Sequence, residues 1–279
     1  MKEQFVEEYR QYGIELRKNL VYGNGDGFPL KMDLLLPKER RISPAPVILW
    51  VHGGAWNDHQ LDRNYRPEVE LLKLAAKGYV IACCDYRLSD QAVFPAQIQD
   101  CKCAVRFLRA HARQWDLDPE RIGAWGESAG GHLVSLLGAV DGVKELEGNG
   151  GWKDFSSRVS AVCAWYAPSD LTAFGKGEGS PERQLVGDPA SSEERREKLA
   201  QASPLTYVHR EMPPFLLMHG TADQLVPLSQ SQVMFDRLKE LGVPVELAWI
   251  EGQGHGFFQG EEPYCLVNDF FDKWLLVKP

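Results

Sequence analysis

The chain has 279 residues, 44% of them apolar and 25% charged, with a formal net charge of −8 at neutral pH. That length supports one large mixed domain or two small ones. The acidic surplus and the lack of any Lys/Arg run argue against a nucleic-acid surface, and no apolar run nears the roughly 20 residues that span a bilayer.

In chain order, the opening MKEQFVEEYRQYG is charged and lacks the apolar centre of a secretory signal, so the sequence as it stands reads as cytoplasmic. Residues 16–37, LRKNLVYGNGDGFPLKMDLLLP, read as two strands joined by a Gly/Asn/Asp turn at a sheet edge. PVILWVH (46–52), GYVIACCDYR (78–87), RIGAWG (121–126), VSAVCAW (159–165), PFLLMHG (214–220) and PVELAWI (244–250) are continuous apolar runs, as strands buried on both faces should be. Helical periodicity lies between them. Ile98, Cys101, Val105 and Leu108 make one stripe, and Met234, Leu238 and Leu241 make another. Residues 263–276 are a last amphipathic candidate. Strands alternating with helices predict an α/β protein whose eight-stranded, mostly parallel sheet carries helices on both faces.

One stretch breaks the alternation. Residues 171–207 are polar, Gly-rich and charged. They read either as a solvated connection with one surface helix or as a small cap over a site, since connections this long are often functional. No repeat or low-complexity linker divides the chain, so residues 1–279 read as a single domain with 171–207 inserted. The six cysteines, Cys83, Cys84, Cys101, Cys103, Cys163 and Cys265, read as free thiols buried in the core. Cys101 and Cys103 have no second Cys/His pair at zinc-ligand spacing.

The chemistry gathers in GAWGESAGGHLV (123–134). Glycines at 126, 130 and 131 weaken regular structure by up to about 1 kcal/mol each relative to alanine. They are accounted for if the chain turns sharply at Ser128, between a strand and a helix. That is the context in which Gly126-Glu127-Ser128-Ala129-Gly130 presents a strained, exposed nucleophile to a helix N-terminus. A serine hydroxyl then needs a base, and the base an orienting acid. Of seven histidines, His59, His111 and His209 read as surface residues, His132 as packing beside the turn, and His219 as bonding backbone at a strand end. His255, in the glycine-flanked loop EGQGHGFF after the last strand, is the candidate base. Asp223, in MHGTADQLVP after the preceding strand, is the candidate acid, with Asp170, Asp188 and Glu251 as rivals. HGGAW (52–56), also at a strand end, offers backbone N–H groups to an oxyanion: Gly53 and Gly54, possibly with Ala55, together with Ala129. Trp56 and Glu127 are weaker candidates for contact with substrate.

Together HGGAW, DYRLSDQAVFPAQIQD, GESAGGHL, HGTADQLVP and GHGF resemble the α/β-hydrolase superfamily over residues 18–276. Within it the chain is similar to carboxylesterases of the hormone-sensitive-lipase and feruloyl/acetyl-xylan esterase-like (BD-FAE-like) groups. The resemblance implies a Ser128–Asp223–His255 acyl hydrolase that needs no cofactor or metal. Its ligand would be a small-molecule ester, with no nucleic-acid or membrane partner. Ala55 stands where many lipase-like members have a third glycine, and the insertion is shorter than a lipase cap. Both features point to short-chain acyl esters, including acetyl or feruloyl esters of carbohydrates. An arylformamidase of the kynurenine-formamidase type, which shares the HGG-x-W pattern, or a peptidase-type serine hydrolase is the alternative. A non-catalytic binder on the same scaffold is the rival from another class. Nothing in the sequence decides between monomer and homodimer.

Overall fold

The apolar runs pair with one another. In the computed structural model, which describes residues 8–39, 41–174 and 177–276, the strands are β1 (Ile14–Gly25), β2 (Phe28–Pro37), β3 (Ala45–Val51), β4 (Val80–Cys84), β5 (Leu117–Glu127), β6 (Ala161–Trp165), β7 (Phe215–Gly220) and β8 (Val245–Ile250). Among the described residues they form one eight-stranded sheet in the order β1-β2-β4-β3-β5-β6-β7-β8. β2 runs antiparallel to both its neighbours, and the other pairings are parallel. Every residue of β3, β4, β6 and β7 is buried. Edge strand β8 buries only Ile250 fully, because it has a neighbour on one side alone.

Helices cover both faces. On one face lie α2 (Ala96–Ala110), α3 (Ala129–Ala139) and α6 (Ser229–Glu240); on the other lie α1 (Glu68–Lys77) and α7 (Glu262–Phe271). The stripe Ile98, Cys101, Val105 and Leu108 is fully buried, as are Met234 and Leu238, while Leu241 is partly covered. On the α1/α7 face, Trp50, Trp125 and Trp165 stand on adjacent strands with successive ring centroids 5.1 Å apart, edge to face. α7 turns Tyr264, Val267 and Phe270 inward and leaves Cys265 exposed. The expectation of six buried thiols is therefore corrected to five.

Residues 171–207 hold two helices, α4 (Pro181–Leu185) and α5 (Ser192–Ala202), rather than the single helix expected of a plain connection. Ser191 caps α5 by accepting the Glu194 N–H at 3.0 Å. Only Leu199 and Ala202 of α5 are buried, which is why the stretch reads as polar. The segment is tied down from outside. The Phe94 N–H donates to the Leu185 carbonyl at 2.7 Å and the Asn57 amide donates to Gln184 Oε1 at 2.6 Å; within the segment, the Leu171 N–H donates to Ser203 Oγ at 2.8 Å.

The loop after β3 is fixed by a buried cation. Arg63 donates to Asp33 Oδ1 at 2.9 Å, to Asp85 Oδ2 at 2.5 Å and to Asn19 Oδ1 at 2.5 Å. These partners lie on β2, just past β4 and on β1, so one guanidinium pins the loop to three strands. Removing the cation takes from the fully buried Asp33 carboxylate its hydrogen-bonded charge partner and leaves it Arg66, 3.9 Å from Oδ2. Arg63→Ala is expected to lower unfolding free energy by about 3–5 kcal/mol in a urea titration. A loss under about 1 kcal/mol, the scale of an exposed pair, would show the network to be dispensable.

Candidate active site

β5 ends at Glu127 and α3 begins at Ala129, so the whole reversal falls on Ser128. Its backbone is strained, with φ 52° and ψ −119°, a conformation that costs roughly 1–3 kcal/mol for a residue with a side chain. Hydrogen bonds on both sides hold it. Its N–H donates to the Trp165 carbonyl at 2.9 Å, and its carbonyl accepts the His132 N–H at 2.9 Å. The glycines make room. A Cβ at Gly126 would come within 2.5 Å of the Gly130 carbonyl oxygen, and one at Gly130 would overlap the Val51 carbonyl of β3. At Gly131 it would reach 2.8 Å from the Trp165 carbonyl of β6.

β7 and β8 are neighbours, and their following loops bring Asp223 and His255 to the same rim. His255 Nε2 lies 2.9 Å from Ser128 Oγ, and Nδ1 lies 2.7 Å from Asp223 Oδ2. An ionised carboxylate only accepts, so Nδ1 carries the proton and Nε2 is free to accept from the serine hydroxyl. Asp223 Oδ1 accepts the Leu225 and Val226 N–H groups at 2.8 and 2.9 Å. His219 Nε2 approaches Oδ2 at 3.2 Å and also donates to the Val226 carbonyl at 3.0 Å. Burial alone would raise the Asp223 carboxyl. The hydrogen bonds from His219, His255 and Val226 outweigh it and hold the group well below the usual carboxylate range. The sequence reading gave His219 a backbone bond only. Its place four residues before Asp223, at the strand end, is the signal for its second role.

HGGAW turns left-handed over three residues, with φ of 103° at Gly54, 50° at Ala55 and 59° at Trp56. Gly54, Ala55 and Trp56 line a cavity of about 620 Å³ together with Ser128, Ala129 and His255, within the usual range for a ligand pocket. Phe174, Pro181 and Glu182 of the insertion form part of its wall. Gly53 stands back from the cavity. Its backbone faces the Glu127 carboxyl, which a Cβ there would overlap. Of the expected donor residues, Gly54, Ala55 and Ala129 line the cavity, and Gly53 sits behind them. Glu127 lines the cavity while almost wholly buried. Burial raises its pKa to about 7, against the opposing influence of His255, the Gly53 backbone and the Tyr166 hydroxyl.

Trp56 also reaches across the turn. Its Nε1–H donates to His132 Nδ1 at 3.2 Å, and His132 Nε2–H donates to the Ala202 carbonyl of the insertion at 2.7 Å. One imidazole therefore joins the oxyanion-loop candidate, the serine turn and residues 171–207. The remaining histidines lie elsewhere: His59 pairs with Asp90, His209 with Glu211, His111 stacks on Trp115, and His52 stacks on Tyr86. Asp170 accepts the Thr172 N–H and Asp188 pairs with Arg183, so two of the three rivals for the acid are occupied locally, and the third, Glu251, is exposed. Among the described residues no group of three His, Cys, Asp or Glu side chains is disposed to hold a metal, and no helix is long and apolar enough to cross a membrane.

The sequence profile of the BD-FAE family matches residues 32–238. The esterase LipC of Mycobacterium tuberculosis is 31% identical over 252 residues, which cover 86% of this chain and 60% of LipC. The chain thus spans less than two thirds of that relative's length. A truncated carbohydrate esterase from gut microbiota superposes with a TM-score of 0.82 at 28% identity, covering 93% of this chain and 95% of the other. A butyrate-bound thermophilic esterase, Est2 of the planctomycete Thermogutta terrifontis, superposes with a TM-score of 0.75 at 26% identity, covering 96% and 97%. The fold shared with these esterases is the α/β-hydrolase fold.

The His132 bonds require a neutral ring, and burial lowers its pKa from 6.5 to about 4. Between those values the unfolded chain takes up a proton that the folded chain refuses, so stability falls as pH drops from 6.5 towards 4. The loss amounts to about 3 kcal/mol. Denaturant midpoints at pH 7 and pH 4.5 are expected to show it, and His132→Gln, though weaker at pH 7, is expected to lose less on acidification. An equal acid loss in the variant would assign the effect to other groups.

Proposed function

This chain belongs to the BD-FAE family, and from that premise we propose that it is a serine esterase acting on short-chain acyl esters, among them acetyl or feruloyl esters of carbohydrates. The observation that carries the reading is the hydrogen-bonded run Ser128–His255–Asp223 at the floor of the cavity. Ser128 Oγ attacks the ester carbonyl while His255 Nε2 takes its proton. Asp223 stabilises the imidazolium and keeps the proton on Nδ1. The oxyanion forms against the Gly54 and Ala129 N–H groups at the α3 N-terminus. His255 returns the proton to the departing alcohol and leaves an acyl group on Ser128. Water, deprotonated by the same imidazole, then attacks the acyl-enzyme and frees the acid. Residues 171–207 act as a small cap, because they wall the cavity over this machinery. The names of two structural neighbours, a carbohydrate esterase and a butyrate-bound esterase, support a short acyl group and a sugar-sized alcohol.

Ser128→Ala is expected to abolish hydrolysis of 4-nitrophenyl acetate, by a factor on the order of 10³ or more, and to abolish labelling by a fluorophosphonate, with the unfolding transition intact. Retained turnover would remove Ser128 from the mechanism. Asp223→Asn is expected to lower kcat by about 10⁴ through the wrong imidazole tautomer. A panel of an acetylated xylo-oligosaccharide, methyl ferulate, N-formylkynurenine and a prolyl amide sorts the ester reading from the formamidase and peptidase ones.

A further inference from the structure

Two carboxyl groups in the cavity wall have no part in the proton chain. Glu182, on α4, is 5% exposed, and its Oε2 has no hydrogen-bond partner. Glu127 is 3% exposed, and its Oε1 has none either. Both residues line the same cavity. A buried acceptor without a donor is costly and uncommon. The Glu127 carboxyl has the Gly53 backbone and the Tyr166 hydroxyl against it, whereas the orphan at Glu182 is accounted for if the ligand brings the donor. Asp58 adds a third acid to the lining, its Oδ1 already accepting the Gln60 N–H. Among the described lining residues His255 is the sole basic group, and no Lys or Arg offsets the acids. The same wall carries the apolar Phe174, Pro181 and Leu225, and the Asn57 amide, also in the lining, is already given to Gln184 Oε1 at 2.6 Å.

We propose that Glu182 is a specificity-determining residue, which with Glu127 selects esters whose alcohol half is uncharged and bears hydroxyl donors, and rejects those bearing a carboxylate or phosphate. The proposal rests on the reading of Ser128 as the nucleophile. It assigns the donors to the alcohol half because an acetyl group has none. A hydroxyl near Glu182 satisfies Oε2. An anion at the same place meets the Glu182 carboxylate, with no Lys or Arg among the described lining residues to neutralise it.

The test compares three acetates of similar size in a pH-stat: glycerol monoacetate, propyl acetate and O-acetyl-lactate. In the wild type kcat/KM is expected to favour the hydroxyl-bearing ester over propyl acetate by about tenfold, and over the carboxylate-bearing ester by about 100-fold. Glu182→Gln, which removes the charge and adds an N–H donor, is expected to narrow the second ratio at least about fivefold. Glu182→Leu, which removes the acceptor, is expected to shrink the first ratio, with the change in KM. Three wild-type values within about threefold of one another would overturn the proposal, as would two folded variants that leave both ratios where they were. Should neither variant fold, the wild-type ratios decide. Fluorophosphonate labelling of Ser128 separates the two levels. A labelled enzyme without discrimination sinks this proposal alone, whereas an unlabelled one that hydrolyses no acetate sinks the serine-esterase reading with it.

Discussion

A single residue held in an unfavourable backbone conformation sets the terms for the rest of the site. Ser128 sits at φ 52° between the last residue of β5 and the first of α3, and it stays there because α3 comes unusually close to two strands. Gly130 touches the backbone of β3, and Gly131 approaches that of β6. Side chains at those positions would push the helix outward and relax the turn. The same closeness puts the start of α3 beside the HGGAW loop, which continues from β3. Strain at the serine and proximity of the oxyanion-loop candidate are therefore one structural fact seen from two sides.

The acid end of the proton chain is held differently, by hydrogen bonds rather than by strain. Asp223 is surrounded by donors: two backbone N–H groups on one oxygen and two imidazoles near the other. A carboxylate so supplied stays ionised although its side chain is buried. It also cannot rotate without giving up several bonds, so His255 receives a fixed orientation from a fixed acid. Glu127, only one residue from the nucleophile, has the opposite surroundings. Its carboxyl is buried with little support, and its pKa rises to about 7. Two acids in one site are thus kept in different protonation states by the number of donors each can reach.

Much of this was legible before any coordinates, for reasons that can be named. The inner strands of a mostly parallel sheet are buried on both faces, so they read as apolar runs, six in all with the edge strand β8, while β1 and β2 read as a hairpin around their Gly/Asn/Asp turn. Ser128, His255 and Asp223 lie at strand ends in glycine-rich or turn-forming contexts, and the structure brings their side chains within hydrogen-bond distance. What escaped the sequence depends on partners far along the chain. Arg63 meets Asn19, Asp33 and Asp85 across separations of 44, 30 and 22 residues, and no local pattern encodes that. Glu182 sits in the polar run SPERQLVGD, where a carboxylate looks like a solvated one until the cavity is seen around it. Gly53 and Gly54 are indistinguishable by type, and only the left-handed turn that starts at Gly54 places one in the cavity and the other behind it. Cys265 looked like a core thiol because its neighbours are apolar, but the helix phase turns it outward.

The bonds of His132 bear on how such enzymes can be remodelled. Its ring takes a hydrogen from Trp56 on one side and gives one to the Ala202 carbonyl on the other, so the end of α5 is keyed to the catalytic floor through one backbone oxygen, while α4 is held separately by Phe94 and Asn57. A transplanted segment of different length or shape would have to return an acceptor to that one spot. Otherwise the ring would lose its anchor and the indole beside the nucleophile would be free to turn. Substrate range in this scaffold can therefore be redrawn most safely between residues 174 and 199, with the ends of α4 and α5 left as fixed docking points.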